Sequence, residues 1–127
     1  MNLAIWDIES SSASTDFGSI IEIGGVLVDE NFKEKDRFNL RCRLPEGEIF
    51  QAMALIVNKT SIKKLTQANL SHYQMLAEVE KIFKKWSPAI FLGWSNIGFD
   101  DEMIRKEFFK GIRYPYLTNA APNKRHD

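Results

Sequence analysis

A chain of 127 residues, 44% of them hydrophobic, is long enough for one domain with its own core. Its 17 basic residues balance its 17 acidic ones, so no net charge attracts it to nucleic acid or to a membrane, although a local basic face would need none. The one cysteine, Cys42, excludes an internal disulfide bond. With no signal-peptide pattern we expect a cytoplasmic location, and the longest apolar stretch, residues 20–28, is too short to span a bilayer.

Three strands are predicted first along the chain. Residues 3–9 form a short apolar run, and residues 19–28 form a second run that is rich in isoleucine and valine. Residues 37–44 alternate between apolar and polar side chains, which predicts a half-exposed strand. The apolar side chains that this third strand would direct to one face are Phe38, Leu40, Cys42 and Leu44.

A helix is predicted next, because Ser71 and Gln74 have the spacing of a capping box. Behind them apolar residues recur at helical spacing, namely Met75, Val79, Ile82 and Trp86. Residues 89–92 form a buried strand after Pro88, and a second helix follows from Asp100 with three apolar residues facing inward: Ile104, Phe108 and Ile112. This order predicts an α/β fold whose mixed sheet has an antiparallel β1-β2-β3 and a parallel β4, flanked by helices.

Two carboxylates stand at the end of the first strand. Asp7 and Glu9 are two residues apart, so they project from the same face with their Cα atoms about 6.5 Å apart. Like charges at that separation repel, and a divalent cation with a preference for hard oxygen ligands, Mg²⁺ or Mn²⁺, would relieve the repulsion. The alternative is that both acids are simply solvated at a strand end.

A second polar segment, GWSNIGFDDE at residues 93–102, stands where the fourth strand ends and a helix begins. Ligand sites in open α/β sheets gather at the carboxyl ends of strands, so Asp100 could join Asp7 and Glu9. Alternatively, Asp100 caps the helix, and this second interpretation fits Asp101 and Glu102 better than a ligand role does.

Together these segments resemble the DnaQ-like 3′→5′ exonuclease superfamily, whose site is built from Asp, Glu, Asp and Asp on a ribonuclease H-like fold. The resemblance covers nearly the whole chain, from residues 7–9 through 20–32 and 54–65 to 93–102 and 123–127. The eight-residue spacing from Gly93 to Asp100 and the FDDE ending are most similar to the bacterial exonuclease I family.

The resemblance implies a metal-dependent hydrolase that releases 5′-mononucleotides from the 3′ ends of single-stranded DNA. It implies that Asp7 bridges two Mg²⁺ or Mn²⁺ ions, that Glu9 binds one of them and that Asp100 binds the other. It also gives candidate substrate-binding residues: Ser10, Asn58, Trp94, Asn96 and Phe99. Alternative substrates are RNA or short oligonucleotides, and an alternative class is a binding module that kept the fold and lost the chemistry.

The sequence departs from the family at its third motif, a histidine followed five residues later by an aspartate. The chain has only two histidines. His72 lies near a helix start, where we expect it to be solvated, and His126 directly precedes the last residue, Asp127. We therefore expect residues 1–127 to be a single, C-terminally truncated exonuclease domain of low activity. The missing helices would uncover apolar sheet surface and favour self-association.

Overall fold

The structure, a computed structural model, describes residues 1–48, 50–94 and 97–127. Within these residues the strands are, in chain order, β1 Asn2–Ser10, β2 Ile20–Val28, β3 Glu34–Arg41, β4 Ala89–Leu92 and β5 Lys124–His126. They form one sheet in the order β3-β2-β1-β4-β5. β1, β2 and β3 pair antiparallel, whereas β4 and β5 run parallel to β1. The predicted mixed sheet is confirmed.

Four helices are described: α1 Ala52–Val57, α2 Ile62–Thr66, α3 His72–Trp86 and α4 Asp100–Lys110. The predicted capping box starts α3, since the Gln74 backbone N–H donates to Ser71 Oγ at 3.1 Å and the Ser71 backbone N–H donates to Gln74 Oε1 at 2.9 Å. This exchange satisfies two N–H groups that the helix leaves free at its start. None of the described helices is long and apolar enough to cross a membrane.

The core lies on one face of the sheet. Every second residue of β1 points into it, beginning with Ala4, Trp6 and Ile8, and both long helices pack there. Phe83 of α3 is fully buried and makes an edge contact with Phe91 of β4, their ring centroids 4.9 Å apart. The opposite face, which we call the open face, carries the remaining β1 side chains: Leu3, Ile5, Asp7 and Glu9. Ile5 is 42% exposed on it.

Two sequence predictions of element ends were wrong. The third strand ends at Arg41, and Cys42 forms only a single bridge to Leu70, because the alternating pattern continues past the last residue that pairs with β2. The last helix ends at Lys110, and Ile112 is not inward but 97% exposed, with φ = 56°. Gly111 at the C-cap is a local signal for the end of the helix, and the prediction, which used the apolar spacing alone, did not take it into account.

Candidate active site at the carboxyl ends of β1 and β4

The side chains of Asp7 and Glu9 project from the open face of β1, because their neighbours Trp6 and Ile8 are buried in the core on the other face. Asp7 is exposed and Glu9 is partly buried. The predicted shared face of the two carboxylates is therefore present in the structure. They stand at the carboxyl end of β1, the edge of the sheet at which the parallel strand β4 also ends and from which the chain enters α4.

The strands beside β1 add a third carboxylate. In the sheet register Glu22 of β2 lies directly across from Glu9, and Gly24 lies directly across from Asp7. On β3, Arg41 lies directly across from Glu22, and Asn39 lies directly across from Gly24. A cavity of about 270 Å³ lies at these positions, and it is lined by Asp7, Ile8, Glu9, Glu22, Gly24, Asn39 and Asn58.

Glu22 is held by polar partners on β3. Arg41 donates from Nη2 to Glu22 Oε2 at 2.8 Å, and Asn39 donates from Nδ2 to Glu22 Oε1 at 3.2 Å. This ion pair gives Glu22 a structural role between β2 and β3. Its position opposite Glu9 is a property of the β1–β2 register and could not be obtained from the local sequence.

The surroundings of Glu9 disfavour the charged form of its carboxyl group. Burial raises the pKa of its carboxyl group, and the negative charges of Asp7 and Glu22 raise that pKa further. Such crowding of like charges is costly without a cation, and the donors around the cavity are carboxylate and amide oxygens, which suit Mg²⁺ or Mn²⁺. The residues present therefore fit the metal that the family resemblance implies.

Glu9→Gln is expected to stabilise the metal-free protein at neutral pH. A carboxyl whose pKa is raised by folding contributes full stability at low pH and loses it as pH rises, so the substitution removes that loss. After allowance for solvent screening, the gain in unfolding free energy is at most about 1 kcal/mol. Urea unfolding at acidic and neutral pH, in chelator, measures it. Glu78→Gln, on the exposed side of α3, is the matched control, and a destabilised Glu9→Gln would contradict the expectation.

A second cavity of about 240 Å³ adjoins the acids and contains four predicted site residues: Glu9, Ser10, Asn58 and Phe99. Asn58, the C-cap of α1, donates from Nδ2 to the backbone oxygen of Ser10 at 2.9 Å, so it fixes α1 beside the end of β1. The Ser10 hydroxyl is buried and donates to the Ser12 backbone oxygen at 2.6 Å. Ser10 would have to break that bond before its hydroxyl could donate to a substrate.

The remaining predicted residues belong to the segment between β4 and α4. Asp100 is buried and is the first residue of α4. Trp94 is 93% exposed, and Asn96 lies outside the described residues. In residues 1–48, 50–94 and 97–127 no three acidic, histidine or cysteine side chains form a metal-binding group, so the role of Asp100 as a ligand stays a prediction.

Two polar residues have partners that the sequence did not reveal. Asp101 lies in the first turn of α4, as the helix-dipole interpretation requires, and it is almost fully buried and accepts hydrogen bonds from Thr118 and from Arg125 of β5. The side chain of His72 is only 17% exposed and lies 3.4 Å from Glu107 of α4, so the prediction that it is solvated is wrong. Both partners come from distant parts of the chain.

The strand order, the two core helices on one face and the acids on the other define a ribonuclease H-like fold, as the sequence predicted. Solved structures with this arrangement include Escherichia coli exonuclease I in complex with a dA16 oligonucleotide, with a TM-score of 0.91 at 19% identity over 99% of this chain. A zinc-bound complex of that enzyme with single-stranded DNA gives 0.91 at 18% identity over 99% of this chain, and its complex with SSB-Ct gives 0.90 at 18% identity over 99%.

This chain spans 28%, 27% and 28% of those three chains, respectively. At these identities the likeness establishes the fold, and the predicted resemblance to exonuclease I is confirmed at that level. No protein-family model matches the sequence, and no curated protein matches it.

Proposed function

We propose that this chain is part of a metal-dependent 3′→5′ exonuclease domain that hydrolyses single-stranded DNA to 5′-mononucleotides. The observation that carries the proposal is the pair Asp7 and Glu9 on the open face of this fold, crowded by Glu22 in one cavity. The exonuclease I structures that share the fold were solved with single-stranded oligonucleotides, which supports this class of substrate.

In the proposed reaction Asp7, Glu9 and Asp100 would hold the divalent metal. Two bound Mg²⁺ or Mn²⁺ ions would activate water for attack on the phosphodiester and stabilise the leaving 3′-oxygen. Asp7 and Glu9 would position the reacting phosphate through the cations that they hold, while Arg41 neutralises Glu22 and leaves Asp7 and Glu9 as the charges available to those cations.

The second cavity is proposed to hold the terminal nucleotide. Its wall combines apolar groups from α1, Met53 and Val57, with the ring of Phe99, and Asn58 stands at its border with the acids. Aromatic and apolar surfaces stack bases without regard to sequence, which suits an enzyme that removes every nucleotide in turn. Trp94, nearly fully exposed, is a further candidate for stacking.

Self-association is a further part of the proposal. The open face carries apolar side chains beside the acids, including Ile5 of β1 and its register partners Val26 and Leu92. An exposed apolar surface of this kind favours contact with another protein surface. The cytoplasmic location inferred from the sequence also stays a proposal.

Labelled oligonucleotides test the polarity of the reaction. For a longer version of the chain that includes the third motif, with Mn²⁺ and a strand labelled at its 5′ end, we expect a ladder of products shortened one nucleotide at a time from the 3′ end, and little loss of blunt duplex. Asp7→Ala provides the blank. Shortening from the 5′ end, or equal rates on duplex, would contradict the proposal, and faster loss of RNA would favour the alternative substrate. Binding without any cleavage would indicate the non-catalytic module.

A further inference from the structure

Asn39 of β3 reaches across the open face towards the acids of β1. Gly24 is the register partner of both Asp7 and Asn39, so these three residues form one row across the sheet. The Asn39 side chain leans out of that row and donates from Nδ2 to Glu22 in the neighbouring row, at 3.2 Å. Its amide therefore lies over the glycine that separates it from Asp7.

The hydrogen bond to Glu22 sets which way the amide points. A carboxylate oxygen only accepts hydrogen bonds, so the nitrogen of Asn39 must face Glu22 Oε1. Arg41 holds the other oxygen of that carboxylate at 2.8 Å and keeps it in place. The carbonyl oxygen of Asn39 is consequently directed away from Glu22, over Gly24.

Gly24 provides the space for this oxygen. A Cβ atom at position 24 would stand 3.2 Å from Asn39 Oδ1 and 3.4 Å from the backbone oxygen of Phe38. The first distance is tight, so a side chain there would push the amide out of its position. The absence of a side chain at Gly24 and the orientation of Asn39 are thus two parts of one arrangement.

We infer that Asn39 is a positioning residue of the proposed metal site: its carbonyl oxygen, oriented by Glu22, accepts hydrogen bonds from water bound to a cation at Asp7. This inference rests on the proposed function and assigns a specific role within it. The acids Asp7, Glu9 and Glu22 and the guanidinium of Arg41 leave two net negative charges around the cavity, the charge of one divalent cation. A neutral oxygen orients bound water without adding to that crowding.

The affinity for Mn²⁺ tests the role of Asn39 without relying on activity. Cations such as Mg²⁺ keep several bound waters, and loss of a group that supports the ligands typically weakens metal binding by about 10- to 100-fold. For the whole 127-residue chain we expect Asn39→Ala to raise the Kd for Mn²⁺ about tenfold, measured as free Mn²⁺ by electron paramagnetic resonance. Asn31→Ala, at an exposed turn where the backbone N–H of Asn31 donates to Asp29 Oδ1, is the matched control.

A double substitution separates positioning from general structural damage. If Gly24 serves to admit the Asn39 amide, then Gly24→Ala also weakens Mn²⁺ binding, and it does so much less when Asn39 is already alanine. Unchanged affinity in Asn39→Ala would overturn the inference and leave the proposed function intact. Equal losses in Asn39→Ala and Asn31→Ala would also overturn it. A wild-type chain that binds no Mn²⁺ in an Asp7-dependent way would overturn both.

Discussion

Asp7→Asn is expected to abolish the stabilisation of this protein by Mn²⁺ and to silence any cleavage of single-stranded DNA. The substitution keeps the shape of the side chain and removes its charge from the cavity shared with Glu9. Ligand that binds only the folded state adds about 2.7 kcal/mol at a hundred times its Kd, so the wild-type melting temperature should rise clearly with excess Mn²⁺. With excess Mn²⁺ the wild type should therefore melt at a higher temperature than Asp7→Asn. In chelator we expect the reverse, with the variant melting at the higher temperature, because it lacks the charge that crowds Glu9.

This reversal is the informative part of the experiment. A substitution that merely damages the fold would lower the melting temperature both with and without metal. Glu78→Gln removes one negative charge from α3, on the other side of the sheet, and should respond to Mn²⁺ as the wild type does. If wild-type melting temperatures were equal with and without millimolar Mn²⁺, the carboxylates of β1 would not form a competent metal site.

Residues 1–127 are expected to degrade single-stranded DNA at least about a hundredfold more slowly than a longer version of the same chain that includes the third motif. A positioned general base typically contributes about 10²- to 10⁴-fold, and the chain lacks the spacing of histidine and aspartate that the family uses for this purpose. Of its two histidines, His72 is paired with Glu107 in the interior. Initial rates of mononucleotide release, measured side by side, give the ratio.

The same assay on Asp7→Ala supplies the background rate. A chain that matched the longer enzyme, and that Asp7→Ala silenced, would have to contain its own catalytic base. His126 would then be the residue to replace first, because β5 pairs it with Leu92 and so places it on the open face, in the row next to Asp7.

The sequence predicted those parts of the fold whose signal is local. Alternation along β1 requires Asp7 and Glu9 to share a face once Trp6 and Ile8 are buried. The start of α3 depends on Ser71 and Gln74, which are only three residues apart. The order of strands and helices then limits the topology, because a β4 that follows a helix returns parallel to β1.

The parts that the sequence did not predict depend on partners far along the chain. β5 contains only Lys124, Arg125 and His126, so it has no apolar pattern, and its pairing with β4 alone makes it a strand. His72 is removed from solvent by Glu107, and Asp101 by Arg125. Asn39 becomes a candidate for the site through the strand register, which places it across Gly24 from Asp7. None of these relations has a signal in the neighbouring residues.

The two ends of the chain lie at opposite ends of the parallel strands, which matters for how the protein is labelled. The terminal ammonium of Met1 pairs with Glu30, at the end of the sheet where β1 begins. Asp127 follows β5, which runs parallel to β1, and its Oδ1 accepts a hydrogen bond from the backbone N–H of Ile97 at 3.2 Å. An affinity tag at the N-terminus therefore points away from the acids, whereas a fluorophore attached at Asp127 would lie at the same end of the parallel strands as the acids.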